Sequence, residues 1–203
     1  NLRQLGLAAQ MYWDDNDQRS FAYSTTRTHG GVVYWFGWLG KGAEGQRQID
    51  HSMGALWPYL KGQGIELCPA FQYRHPLYKP KASGASYGYG YNLHLADARF
   101  GNAGYLVPDL PSPVATTLFA DSAQINDFQG PASQDHPLVE EFYYVNHGLA
   151  RYANAHFRHL GTANVVFCDG HVGAEDPVPG TRDLRLPSMN IARLRRDILI
   201  PNN

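Results

Sequence analysis

The sequence predicts an α+β protein with long loop insertions, on three observations. The composition is poor in charge and rich in turn formers and aromatics: 17% charged residues stand against 21 Gly, 13 Pro and 13 Tyr in 203 residues. That balance suits a loop-rich, strand-containing chain better than a helical bundle or a disordered one. Near the N-terminus, Leu2, Leu5, Ala9 and Tyr12 recur at three- and four-residue spacing, which predicts a helix from Leu2 to about Asp15. Towards the other end, Ala163 to Cys168 is rich in β-branched and aromatic residues, and His171 to Glu175 reads as a returning strand. Between them, Asp169-Gly170 predicts a type I′ turn, which needs φ > 0 at both central residues.

Length and charge bound the function. A chain of 203 residues supports one substantial core, so a single domain is expected over 1–203. The net charge of −1 supplies no basic field, which argues against a nucleic-acid partner. No run of about 18 apolar residues is present to span a membrane. The chain opens at Asn1 without Met or a signal peptide, as expected of a processed N-terminus or of a fragment. Cys68 and Cys168 are a candidate disulfide if the protein is exported, and otherwise two small buried hydrophobes.

The remaining elements follow in order. The first helix should stop at Asp14, Asp15 and Asp17, whose charges oppose the helix dipole at a C-terminus. This acidic cluster lacks the Gly and distal Glu of an EF-hand loop and reads as a solvated helix end. Val32 to Trp38 is apolar on both faces and reads as a buried strand, with Tyr34, Trp35 and Trp38 as an alternative binding platform for glycan or a partner. Gly40 to Gln48 reads as a loop, and Ser52 to Leu60 as a helix capped by Ser52 and ended by Gly62 and Gly64. Ile65 to Pro69 reads as a short strand, and Gln72 to Ser83 as a basic loop. Ser86 to Asn92 alternates Tyr and Gly, a strand with Tyr87, Tyr89 and Tyr91 on one face. Thr116 to Ser122 reads as a strand, Ala123 to Leu138 as an irregular loop, and Phe142 to Val145 as another strand. Asn190 to Leu199 reads as a terminal helix with Ile191, Leu194 and Ile198 inward.

Several of these blocks resemble one family. His159, nine residues, then Asp169-Gly170 is similar to the H-X9-DG signature of prepilin-type, pseudopilin-like envelope proteins of planctomycetes and verrucomicrobia. The segment from Asn1 to Tyr12, Cys68-Pro69, the Tyr-Gly strand and the strand ending Asp121-Ser122 also look like that family, in its order. The resemblance implies a pilin-like fold, an N-terminal helix packed on an antiparallel sheet. Residues 1–17 would be the exposed half of that helix and 18–203 a β-rich globular part with short helices. It implies a non-catalytic structural subunit of a type II secretion or type IV pilus-like system. The protein would be exported to the periplasmic or extracellular face, and its partners would be other pilin-like subunits or secretion components. It would be anchored by an apolar helix that this sequence lacks.

Two other chemistries are weighed against that expectation. Gly84-Ala-Ser86-Tyr-Gly88 fits the nucleophile-elbow pattern, which would make a hydrolase, but no buried strand precedes Ser86 and no helix follows it. Asp121, His159, Asp169 and His171 are candidate ligands for a divalent metal, calcium or zinc, which would also serve a metal-dependent hydrolase. An extended Ala163–Cys168 spans roughly 20 Å. His159 and Asp169 should therefore lie at opposite ends of the strand unless the chain folds back near Gly161. Asp169 and His171 would then meet Asp121 or a loop histidine, or Asp169 would serve only the turn while His159 makes a buried hydrogen bond.

Overall fold

The computed structural model describes residues 1–60, 64–96, 104–148 and 151–201. Gly62, one of the two expected helix stops, lies outside them. Among the described residues the architecture is mostly β, with strands in four separate sheets. Among the described residues one helix is longer than a single turn, α1 (Leu2–Asp15). The expected pilin-like α+β arrangement, one helix on a single antiparallel sheet, is therefore corrected: the inner strands of the main sheet are buried on both faces, and the described residues hold three further sheets.

The main sheet has five strands. β5 (Tyr89–Asn92), β6 (Thr117–Asp121), β9 (Tyr144–Val145), β11 (Ala163–Phe167) and β12 (Val172–Glu175) lie in the order β12-β11-β6-β5-β9. All pairs are antiparallel except β5 with β9. Strand alternation sends β11 side chains to two cores. Val166 and Cys168 join Leu5, Ala9 and Trp13 of α1, while Val165 and Phe167 join Phe157, Leu194 and Ile198. Each such fully buried aliphatic side chain contributes about 1.5–3 kcal/mol of transfer free energy. The C-terminal segment thus covers the face that a single-layer design would leave to water.

Gly6 fixes how closely α1 approaches, since a Cβ there would lie 2.7 Å from Val166 Cγ2. The helix ends where its acidic residues stand. Asn16 donates to the Tyr12 carbonyl at 2.8 Å, and Asp15 accepts from the Tyr59 hydroxyl at 2.8 Å.

Residues 24–50 form a meander of β1 (Ser24–Thr28), β2 (Gly31–Tyr34), β3 (Gly37–Leu39) and β4 (Ile49–Asp50). The aromatic run expected to be one strand is instead a hairpin that turns at Trp35-Phe36, with Tyr34 opposite Gly37. The turn drives Trp35 and Phe36, each 1% exposed, into the core, where Trp35 Nε1 donates to the Tyr143 carbonyl at 2.9 Å. The expected helix over Ser52–Leu60 breaks into a 3₁₀ turn, His51–Met53, and one α-turn, α2 (Trp57–Leu60). Asp50, not Ser52, is the cap, accepting from the Ser52 N–H at 2.9 Å. Ile65 to Pro69 forms turns with no strand.

The loop expected over Ala123–Leu138 contains a hairpin of β7 (Gln124–Asn126) and β8 (Leu138–Glu140). The expected C-terminal helix is replaced by β13 (Ile191–Ala192), paired with β10 (Ala155–His156), and a 3₁₀ turn at Arg196–Ile198. Ile191, Leu194 and Ile198 are nonetheless buried. A left-handed Asn190 and an extended Arg195 interrupt the helix their spacing predicts.

The Asp169-Gly170 turn is also of another kind. Only Gly170 has positive φ (90°); Asp169 does not. Gly170 N–H donates to the Phe167 carbonyl, and Phe167 N–H to the His171 carbonyl, both at 2.9 Å. This is a three-residue loop closed by a left-handed glycine. Two-residue turns with both central φ positive lie elsewhere, at His29 (46°) and Gly30 (75°) and at Leu160 (54°) and Gly161 (92°), where His159 and Thr162 exchange backbone hydrogen bonds.

Candidate functional site

Three separated segments meet at the end of β6. Asp121 is its last residue, paired in register with Tyr89 of β5. The Leu160-Gly161 turn presents His159 from one side. The turn after Leu67 presents Cys68 from another, and Arg158 reaches across from the chain entering β11. Cys68 and Asp121 are buried, and His159 is one-third exposed.

His159 Nε2 lies 3.2 Å from Asp121 Oδ2 and 3.7 Å from Cys68 Sγ. Asp121 Oδ2 also accepts from the Asn164 N–H at 2.8 Å, and Oδ1 pairs with the Arg158 guanidinium. Arg158 is the hub. It donates to Cys68 Sγ at 3.3 Å, to the Ser122 carbonyl at 3.3 Å and to the Gly88 carbonyl, and its Nη1 lies 3.0 Å from His156 Nδ1. Burial pushes the Asp121 carboxyl up from its ordinary value; Arg158, the Asn164 N–H and His159 oppose the shift without cancelling it. Burial holds His156 well below the usual imidazole range, and the neighbouring Arg158 and His159 charges lower it further. An imidazole so placed stays neutral beside the guanidinium.

A cleft of about 500 Å³ opens on this cluster, lined by Asn1, Arg3, Cys68, Tyr89, His159 and Asn164. The start of α1 forms one wall, with Asn1 Nδ2 donating to the Leu67 carbonyl at 2.8 Å.

The four ligand candidates read from the sequence divide into two pairs. Asp121 and His159 meet at one end of the β11–β12 hairpin. Asp169 and His171 meet at the other, where His171 Nδ1 lies 2.6 Å from Asp169 Oδ1 and both side chains are substantially exposed. The chain does fold back at Gly161, but this sets His159 beside Thr162 and Asp121, not Asp169. Asp121 sits with His159 because Ala120 pairs with Val165, placing the end of β6 near Asn164.

Of the two readings of the cysteines, the structure has Cys68 and Cys168 as free, buried thiols. Cys68 faces His159 and Arg158, whereas Cys168 is buried at the turn end of β11, its N–H donating to the Thr116 carbonyl at 2.9 Å. Of the aromatic platform, Trp35 is buried, while Tyr34 and Trp38 are half-buried, with Trp38 Nε1 donating to the Thr28 carbonyl at 2.9 Å. Ser86 is fully buried, its hydroxyl 3.1 Å from the Tyr143 hydroxyl and its N–H donating to Glu141.

Sequence reasoning found Asp121 and His159 but missed Arg158 and the role of Cys68. The available signals were Arg158 adjoining His159 and the family-like Cys68-Pro69. No spacing rule joins residues so far apart in the chain. Among the described residues, no helix is long and apolar enough to cross a membrane. No protein-family model, curated protein or solved structure matches this chain.

Proposed function

We propose that this protein is a non-catalytic structural subunit of an exported envelope assembly, a secretion or filament system in which copies meet through the outer face of α1. The single observation that carries the reading is the pair Leu7 and Met11. They lie one turn apart on the face turned away from the sheet and are 51% and 53% exposed, while Leu2, Leu5, Ala8, Ala9 and Trp13 are buried. Two large apolar side chains stacked on an otherwise solvated helix face suit a helix with two packing partners, the sheet beneath and another subunit outside. The family-like blocks add support, because Cys68, Tyr89, Asp121 and His159 converge beside the start of the same helix. Assembly through α1 does not require the single-sheet architecture that the fold rules out.

The test is the coding sequence upstream of Asn1 together with a cross-linking assay. A prepilin cleavage motif followed by an apolar helix is expected there, and full-length protein carrying Leu7→Cys should form intermolecular disulfides in the envelope. An upstream segment lacking that motif would overturn the reading. So would the failure of both Leu7→Cys and Met11→Cys to cross-link.

A further inference from the structure

We infer that Cys68, Asp121 and His159 form a binding site for one divalent transition metal of the zinc class. The three donor atoms, Cys68 Sγ, an Asp121 carboxylate oxygen and a His159 ring nitrogen, lie within 4.8 Å of one another, the only such group of three among the described residues. The two separations from His159 Nε2 match tetrahedral zinc. With Zn–S near 2.3 Å and Zn–N and Zn–O near 2.05 Å, tetrahedral angles put sulfur and nitrogen about 3.6 Å apart and nitrogen and oxygen about 3.3 Å apart. The observed separations are 3.7 Å and 3.2 Å.

A catalytic Cys-His-Asp relay uses both imidazole nitrogens, one towards the thiol and the other towards the carboxylate. Here the same nitrogen, Nε2, faces both. A sulfur and a carboxylate oxygen converging on one ring nitrogen is the geometry of shared metal ligation, not of proton relay.

The donor types select the ion. A thiolate and an imidazole are poor ligands for calcium, which takes six to eight oxygens, and suit zinc or cobalt. The surroundings orient the ligands. Arg158 holds Asp121 Oδ1 and Asn164 N–H holds Oδ2, which fixes the carboxylate beside His159. Thr162 fixes the turn that carries His159 through the His159 carbonyl, which accepts from its N–H at 3.0 Å and its hydroxyl at 2.8 Å. Arg158 adds positive charge beside the ion, so the site should be weaker than a closed four-thiolate centre. Three protein ligands leave a fourth corner open to the cleft beside Asn1, where water completes the tetrahedron. Binding would cross-link the turn after Leu67, the end of β6 and the start of the β11 hairpin. The site stands independently of assembly through α1.

The experiment titrates cobalt(II), then zinc(II), into the chelator-treated full-length protein and follows electronic absorption and bound metal by native mass spectrometry. The expected result is one cobalt per chain with a thiolate-to-cobalt charge-transfer band that zinc abolishes. Cys68→Ser should lose that band, and His159→Ala, at a partly exposed position, should weaken binding at least about tenfold. Absence of a charge-transfer band in the wild-type protein overturns the site. So does a band that survives Cys68→Ser, or affinity unchanged in His159→Ala. Loss of binding on replacing Asp169 or His171 would place the metal at the other end of the hairpin and equally overturn it.

Discussion

Lys79 Nζ lies 2.6 Å from Glu140 Oε2, and neither side chain is exposed to solvent. The pair is embedded in a network. Glu44 accepts from Lys79 at 2.7 Å, Lys81 pairs with Glu140 at 2.8 Å, and Asn126 and Gln124 donate to the same carboxylate. A buried charge is tolerated when its partners are complete and costs heavily when one is removed. Lys79→Met should therefore destabilise the protein by about 3 kcal/mol, the lower end of the range for a broken buried pair, because Lys81 remains. Urea denaturation of the variant checks this, and a loss below about 1 kcal/mol would contradict it.

The same network sets a pH response. Burial alone would raise Glu140, but Lys81 and Lys79 outweigh it and hold the carboxyl below its ordinary 4.5. A depressed folded pKa means that the unfolded chain takes up the proton first. The stabilisation is complete above about 4.5 and is lost as pH falls through the folded value. Wild type should therefore exceed Glu140→Gln in stability most at neutral pH, and the gap should narrow as pH drops below 4.5. Asp121 and Glu141, whose pKa values are raised by burial, act in the opposite sense and remain in both proteins, so the comparison isolates Glu140. Thermal melts of the two proteins across the acid range check it. A gap that widens on acidification would reverse the assigned sign.

Gly6 should resist replacement although it sits inside a helix. Alanine there gains up to about 1 kcal/mol of helix propensity. Its Cβ, however, would press on Val166 Cγ2 at 2.7 Å, and overpacking of this kind costs about 1–3 kcal/mol. Gly6→Ala should lower stability, and Gly6→Ala with Val166→Ala should show favourable coupling in a double-mutant cycle. Additive losses would mean the helix shifts without strain.

Leu160 is fully exposed and holds φ of 54°. The left-handed region costs an ordinary L-residue about 1–2 kcal/mol and costs asparagine less. Leu160→Asn should raise the melting temperature by several degrees, because the leucine side chain stands in solvent and its removal empties no part of the core. An unchanged or lower melting temperature would contradict this.

The sequence was legible where a single period governs burial. The stripe through Leu2, Leu5 and Ala9 makes α1, and strands form at Thr117–Asp121 and Ala163–Phe167, inside the expected Thr116–Ser122 and Ala163–Cys168. It misled where tertiary partners decide. Ile191, Leu194 and Ile198 have helical spacing, yet Ile191 pairs with His156, and the chain buries all three without a helix. Val32–Trp38 is apolar enough for a strand, but the side chains of Trp35 and Phe36 fill the core better from a turn. The dipeptide Asp169-Gly170 marked the hairpin correctly and the turn type incorrectly, because the loop closes with one residue more. At the site, Asp121 and His159 were recognisable by residue type. Their union with Cys68 depends on tertiary pairing that brings three segments together, which no local pattern encodes.

The tie between Asn1 and the Leu67 carbonyl bears on mechanics. A pull applied at the first residue divides between two routes. One runs through that hydrogen bond into the turn carrying Cys68; the other runs along α1 to its contact with β11 at Gly6. Both routes end on the hairpin and strand held together by Arg158 and Asp121. A pull at Asn1 is therefore shared between two routes that converge on one polar cluster, and the small meander at Ser24–Asp50 lies on neither.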